Sequence, residues 1–150
     1  MPQSLSQIIV HVVFSTKDRT PWLDEEIRPE VFAYLTTLIK QNGHVPIMIG
    51  GHKDHVHLLF GLSRTQSVAD LLEDIKVASS KWLKTKGSSR AQFSWQRGYG
   101  AFGVSYSLVD RAIAYIANQD SHHDGESFKD EFRRLMQENG IDIDERYVWD

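Results

Sequence analysis

The stretch from Asp54 to Phe60, DHVHLLF, contains two histidines separated by one residue. Its composition is typical of a β-strand, in which successive side chains point to opposite faces of the sheet. His55 and His57 therefore share one face, and two imidazoles on a rigid strand form half of a site for a divalent metal. Strands that bind no metal also contain such pairs. The pair by itself therefore favours a structural role over a metal-binding one, and a metal site requires further ligands.

A tyrosine and a carboxamide occur further along the chain, one helical turn apart. A helix is predicted over 107–118, with Ser107 and Asp110 at the spacing of a capping box. Tyr115 and Gln119 are at positions i and i+4, so we expect them on one face of the helix. The Gln119 carbonyl oxygen can join two neutral imidazoles around a metal, which leaves positions for phosphate oxygens and water.

This combination predicts phosphodiester chemistry. Tyr115 is the candidate nucleophile, whose attack on phosphorus leaves a covalent phosphotyrosine and a free 3′-hydroxyl. A phenolate is also a good enough leaving group for the reaction to be reversed, so that the DNA ends can be joined again. Because a phenol has an ordinary pKa near 10, Tyr115 needs the metal or a nearby base.

The charge distribution predicts a surface for nucleic acid although the net charge is −3. Every charged residue from 75 to 97 is basic, whereas the segment 120–150 is acidic. Aromatic rings among basic residues suit single-stranded DNA, because any base can stack on a ring. The predicted DNA-binding residues are Lys76, Lys81, Lys84, Arg90, Trp95, Arg97 and Tyr99. Two alternatives stay open: a solvated lysine-rich helix, and aromatic rings that belong to the core.

The hydrophobic pattern predicts four strands, at 5–14, 45–49, 56–60 and 101–105. It predicts helices at 29–41, 68–84 and 107–118, and a last one from Ser127 to about Asn139. The glycine-containing connection 50–54 favours an antiparallel hairpin. This order predicts an α+β fold, a ferredoxin-like sandwich whose antiparallel sheet has helices on one face, with an appended helix that carries Tyr115.

Length and composition set the class. The 150 residues suit one domain over 1–150, and 41% hydrophobic with 25% charged residues is ordinary for a globular protein. The sequence has no cysteine, which excludes disulfides and thiolate metal sites. It has no secretory signal and no apolar segment of membrane-spanning length, so we expect a cytoplasmic protein.

For three other histidines, the sequence favours positions outside the metal site. His11 lies inside the first predicted strand, where a core or supporting position is favoured over that of a third ligand. His122 and His123 follow the tyrosine helix, and a solvated loop is favoured over a part in metal binding.

Five segments together resemble the single-tyrosine HUH transposases of bacterial and archaeal insertion sequences, with the REP-associated tyrosine transposases as close relatives. The segments are VVFSTKDR, DHVHLLF, FSWQRGYGAFGVS, YIANQ followed by HH, and DERYVWD. They span essentially the whole chain, and YIANQ downstream of HVH is a specific combination.

The resemblance implies a fold, a site and partners. The implied fold is a ferredoxin-like sandwich with the tyrosine helix appended. His55 and His57 would be the metal-binding HUH pair, Tyr115 the nucleophile and Gln119 the third ligand, with Mg²⁺ or Mn²⁺ as the metal and no organic cofactor. The implied partners are single-stranded DNA with hairpins at the element ends, and a second copy of the chain in a homodimer whose tyrosine helix can complete the site of the other subunit.

Two other functions are compatible with these residues. A replication or mobilisation initiator uses the same motif, although the small size and the lack of a helicase segment argue against it. A domesticated protein that binds DNA hairpins without turnover is the other, and the presence of all four candidate site residues argues against lost chemistry.

Overall fold

The computed structural model describes residues 2–123 and 125–150, which form a four-stranded antiparallel sheet with helices on both faces. The elements are β1 (Ile9–Ser15), α1 (Arg28–Gln41), β2 (Val45–Gly51), β3 (His55–Gly61), α2 (Val68–Lys84), β4 (Gly100–Val104), α3 (Val109–Ala117), α4 (Gln119–His122) and α5 (Phe128–Glu138). Within these described ranges, no helix combines the length and the apolar character that a membrane crossing requires.

The strand order in the sheet is β2-β3-β1-β4. Strands β2 and β3 form the predicted hairpin, with Val45 opposite Gly61, and β3 also pairs with β1, where His55 lies opposite Ser15. With one helix after β1 and another after β3, this is the connectivity of a ferredoxin-like sandwich. The predicted α+β fold is confirmed.

Strand β1 begins at Ile9, four residues later than the prediction of 5–14. Ile9 is opposite Gly61 at the end of β3 and opposite Val104 at the end of β4, so residues before it have no strand on either side. Leu5 and Ile8 are accordingly exposed despite their apolar side chains.

One face of the sheet packs against α1 and α2 and forms the largest apolar cluster. Alternate strand residues contribute to it, and burying a side chain such as Leu58 stabilises the fold by about 2 kcal/mol. Its strand and helix members include Val10, Val12, Phe14, Val56, Leu58, Phe60, Val31, Leu35, Ile39, Leu71, Leu72 and Ile75.

The opposite face packs against α3 and α5, and it is the face on which His55 and His57 lie. Helix α5 covers Val13 with Phe128 and Phe132, and α3 covers Leu59 with Ile116. At Gly50 a Cβ atom would lie 2.7 Å from Ile116 Cγ2, so glycine permits this close approach of α3 to β2. The helices after β4 therefore form a second layer over the histidines.

The tyrosine helix is shorter than predicted. Helix α3 begins at Val109, after a 3-10 turn at Tyr106–Leu108, and no side chain caps it, so the predicted capping box at Ser107 is wrong. It ends at Ala117, because Asn118 leaves the helical conformation with φ −99° and ψ 20°. Gln119 therefore begins the separate helix α4.

Candidate active site

The two histidines of β3 form the floor of a buried site. Both side chains are 0% exposed, and β3 lies between two neighbouring strands, which fixes their backbone on both sides. Their imidazole centroids are 5.1 Å apart, and the Nε2 atoms of both rings approach the same carboxylate oxygen. The alternation of the strand therefore brings the pair together as predicted.

Each of these imidazoles has a hydrogen-bond partner on its other nitrogen. Nδ1 of His55 lies 2.7 Å from Asp54 Oδ1, and Nδ1 of His57 lies 2.8 Å from Nε2 of His11. Partners at Nδ1 set the ring orientation and leave Nε2 for a ligand, which is the usual arrangement around metal-binding histidines. His11 therefore supports His57 and does not face the centre of the site.

The carboxylate at the centre belongs to Glu131 of α5, which is 0% exposed. Its Oε1 lies 3.2 Å from Nε2 of His55, 3.3 Å from Nε2 of His57 and 2.9 Å from Nε2 of His123. Its Oε2 accepts hydrogen bonds from the Tyr115 hydroxyl and, at 3.0 Å, from Gln119 Nε2. Glu131 thus links the histidines to the predicted nucleophile.

Tyr115 and Gln119 reach this carboxylate from different helices. The Tyr115 ring lies 5.8 Å from the His57 ring, and its hydroxyl also accepts a hydrogen bond of 2.9 Å from Arg134 Nη2. The Gln119 carbonyl oxygen lies 2.9 Å from His55 Nε2. All four predicted residues therefore converge within one chain, although Tyr115 and Gln119 do not share a continuous helix.

The electrostatics of the site follow from burial and pairing. Burial lowers the pKa of His57 to about 4 and that of His11 to about 3, so both rings are neutral. Burial opposes charge on His55 as well, but the carboxylates of Asp54 and Glu131 raise its pKa to about 9. Burial and the neighbouring Glu131 raise the pKa of Tyr115, which keeps the phenol protonated.

The donor atoms suit a divalent cation. One ligand atom from each of His55, His57 and Glu131 lies within 4.8 Å of the other two, and all three residues are buried. The Gln119 carbonyl oxygen is beside them. Two imidazoles and one or two oxygens match the ligand preferences of first-row divalent metals.

Glu131 was absent from the sequence-based prediction. A signal was present, because Phe128, Phe132 and Leu135 define the buried face of α5 and Glu131 lies on that face. A carboxylate on an otherwise apolar helical face is rarely buried without a partner. The identity of that partner requires the packing of α5 on the sheet.

Three of the seven predicted DNA-binding residues, Lys76, Lys81 and Lys84, belong to helix α2. Helix α2 packs on the face of the sheet opposite to His55 and His57, so these lysines and the histidines do not form one surface. Lys81, Lys84, Arg97 and Tyr99 are exposed. Arg90 forms an ion pair of 2.6 Å with Asp24.

Trp95 corrects one of those predictions. It is 6% exposed in the core between α2 and the sheet, and its indole Nε1–H donates to Ser79 Oγ at 2.9 Å. Its ring makes edge contacts with Phe14 and Phe93. Trp95 therefore presents no free face to a base, and the core alternative holds for it.

Lys76 stabilises the segment before β4, and we expect Lys76→Met to unfold at a lower temperature. The ammonium donates to the carbonyl oxygens of Gln96, Arg97 and Gly98 at 2.9, 3.1 and 2.7 Å, and burial lowers its pKa to about 8. Loss of these bonds should cost about 2 kcal/mol, or about 4–8 °C in Tm.

The matched control is Lys81→Met, on an exposed position of the same helix. Thermal unfolding followed by circular dichroism should give this control a Tm close to that of the unmodified protein. Equal Tm values for the two variants would contradict the structural role of Lys76.

The sequence profile of the family described as IS200-like transposases matches residues 4–119. The chain therefore belongs to this family, and the predicted resemblance is confirmed. DNA transposition is the general function that this membership gives the chain. No curated protein matches the sequence.

Two solved structures share the fold. One is a protein of Deinococcus radiodurans R1 described as a candidate transposase, with a TM-score of 0.62 and 24% identity over 79% of this chain and 98% of that chain. The other is a REP-associated tyrosine transposase bound to a REP hairpin, with a TM-score of 0.61 and 10% identity over 82% of this chain and 72% of that chain. His123 and Glu131 lie beyond the residues that the family profile matches.

Proposed function

We propose that this transposase cuts and rejoins single-stranded DNA through a covalent 5′-phosphotyrosine on Tyr115. The observation that carries the proposal is the contact of the Tyr115 hydroxyl with Glu131, whose other oxygen faces the two histidines of β3. These contacts support a site in which Tyr115 is the nucleophile, Glu131 the proton acceptor and the two histidines metal ligands. The proposed reaction is a strand transfer, in which the tyrosine takes the place of water.

In the cutting step, Tyr115 Oη attacks phosphorus and the bond from phosphorus to the 3′ oxygen breaks. Glu131 Oε2 already accepts the phenolic hydrogen bond, so it is positioned to take the proton as the new bond forms. A proton acceptor is needed because the pKa of Tyr115 is raised by burial and by Glu131 itself. The departing 3′ oxygen takes a proton from water, so the products are a 5′-phosphotyrosine and a 3′-hydroxyl end.

A divalent cation, with Mg²⁺ or Mn²⁺ expected from the family, would polarise the phosphate and offset its developing charge. His55 and His57 would hold it through Nε2, with the Gln119 carbonyl oxygen as a further ligand. The partners at Nδ1, Asp54 and His11, support this assignment because they orient both rings.

In the joining step, a 3′-hydroxyl attacks the phosphotyrosine and gives its proton to water, and Tyr115 leaves as a phenolate. Arg134 donates to Tyr115 Oη at 2.9 Å, so its guanidinium lies where the negative charge develops. The proton held by Glu131 Oε2 then returns to the phenolate. Stabilisation of the phenolate by Arg134 favours the joining step, which therefore needs no further catalytic residue.

The proposed substrate is single-stranded DNA with hairpins at the element ends. Support comes from the family and from the relative whose structure contains a REP hairpin. Exposed Lys81, Lys84, Arg97 and Tyr99 are proposed contacts to a part of the DNA away from the reacting phosphate. Lys81→Met should weaken hairpin binding and lower its salt dependence, because each phosphate contact contributes to both.

The family also supports a homodimer in the cytoplasm, and sedimentation analysis of the purified protein would test its assembly.

The function is tested with single-stranded oligonucleotides that carry the hairpins flanking the coding region. With Mn²⁺, we expect a protein–DNA adduct that survives denaturation, with the nucleotide mapped to Tyr115 by mass spectrometry of peptides. EDTA should prevent its formation. Hairpin binding that persists in EDTA with no adduct under any metal would instead support a binding protein without turnover.

A further inference from the structure

We infer that His123 and Glu131 complete the metal site, which makes it a three-histidine and carboxylate site selective for transition metals over Mg²⁺. This inference rests on the metal requirement of the proposed function and assigns ligands that the motif of the family does not contain. Three imidazole nitrogens surround one carboxylate oxygen, since Nε2 of His55, His57 and His123 all lie within 3.3 Å of Glu131 Oε1.

His123 is placed as a ligand would be. Its side chain is 3% exposed, its Nε2 lies 2.9 Å from Glu131 Oε1, and its ring centroid is 4.5 Å from that of His55. His52 stacks on the His123 ring with centroids 5.4 Å apart and planes 16° from parallel. The His123 ring is therefore buried and held with Nε2 toward Glu131, as a metal ligand would be.

The neighbouring His122 has a different environment, although it also lies near Glu131. Its Nε2 is 2.6 Å from Glu126 Oε1 and 3.2 Å from Arg134 Nη2, and its side chain is 29% exposed. A guanidinium this close repels a cation at the same nitrogen. The third imidazole of the site is therefore that of His123.

The ligand set determines which metals bind. Imidazole nitrogens suit Zn²⁺, Co²⁺ and Ni²⁺, whereas Mg²⁺ prefers oxygen ligands and keeps several waters. Three imidazoles and one carboxylate thus favour the first-row transition metals. Mg²⁺ should bind far more weakly than Co²⁺.

The protein is first freed of metal with EDTA and dialysed. It is then titrated with Co²⁺, and the visible absorption of the bound ion is followed. We expect a ligand-field band for the unmodified chain that a large excess of Mg²⁺ does not remove. His123→Ala should weaken Co²⁺ affinity by about 10- to 100-fold and alter the band. His122→Ala, the matched control, should change the affinity by less than about 2-fold, since its ring is not a ligand.

Further controls distinguish a loss of metal binding from a loss of folding or of DNA cleavage. His123→Gln, closer in size to histidine, should lose affinity like His123→Ala, and thermal unfolding in EDTA verifies that each variant is folded. Because no DNA is present, the Co²⁺ titration does not depend on phosphotyrosine formation, so a failure of that reaction leaves this result unchanged. Unaltered Co²⁺ binding by either His123 variant, or displacement of Co²⁺ by Mg²⁺, would overturn the inference.

Discussion

Tyr115→Phe should form no detectable covalent adduct with single-stranded DNA, a loss of at least about 10³-fold. The substitution removes the only atom of the side chain that can attack phosphorus. It also removes hydrogen bonds to Glu131 and from Arg134, which should cost about 1 kcal/mol of stability. A Tm decrease of about 2–4 °C leaves the variant folded at the assay temperature, so lost chemistry is separable from unfolding.

The control for this variant is Tyr106→Phe. Tyr106 precedes the same helix and its residue is 75% exposed, with no contact to the histidines. It should form the adduct at the rate of the unmodified protein. An adduct on the Tyr115→Phe protein would assign the nucleophile to another residue.

Glu131→Gln should lose both activity and stability. Glutamine keeps the size but offers one acceptor oxygen, whereas the carboxylate is bound by three imidazoles, one hydroxyl and one amide. Burial raises the pKa of Glu131, yet hydrogen bonds from His123, His55 and His57 outweigh that effect and keep it ionised. Removing one member of a buried charged network costs about 3 kcal/mol, or about 6–12 °C in Tm.

Adduct formation by Glu131→Gln should fall by at least about 10²-fold, the usual contribution of a positioned proton acceptor. Single-turnover assays well below its Tm would measure this loss on folded protein. Glu138→Gln is the control, since Glu138 is on the same helix and forms only an exposed ion pair of 3.4 Å with Arg134. Full adduct yield from Glu131→Gln would exclude Glu131 as the proton acceptor.

Local sequence patterns were sufficient to predict most of the fold and the common face of the two histidines. Strand and helix periodicity, the glycine-containing hairpin at 50–54 and the Ser67 cap of α2 are local properties, and they placed the bounds of α2 correctly. Alternation along one strand directed His55 and His57 to the same face in the same local way. Five segments along the chain, among them DHVHLLF and YIANQ, carried the resemblance to the family, and the sequence profile confirms it.

The helix break at Asn118 was not predicted from the local sequence pattern. Positions i and i+4 would place Tyr115 and Gln119 on one helix, but the chain leaves the helix at Asn118 and begins α4 at Gln119. Asp120, one residue later, is held by Arg28 at 2.7 Å and by His52 at 2.8 Å. Both partners are distant in sequence, so this anchoring of α4 depends on tertiary contacts.

The residues that surround His55 and His57, and the face on which the basic helix lies, depend on tertiary packing. His57 and Glu131 are 74 positions apart, and they meet because Phe128 and Phe132 pack α5 on the sheet face that carries the histidines. The crossover from β3 to β4 places α2 on the other face, away from the histidines. Periodicity describes one element at a time, whereas the pairing of strands and the packing of helices bring distant residues together. The sequence thus predicted His55, His57, Tyr115 and Gln119, and the packing of the helices brought Glu131 and His123 beside them.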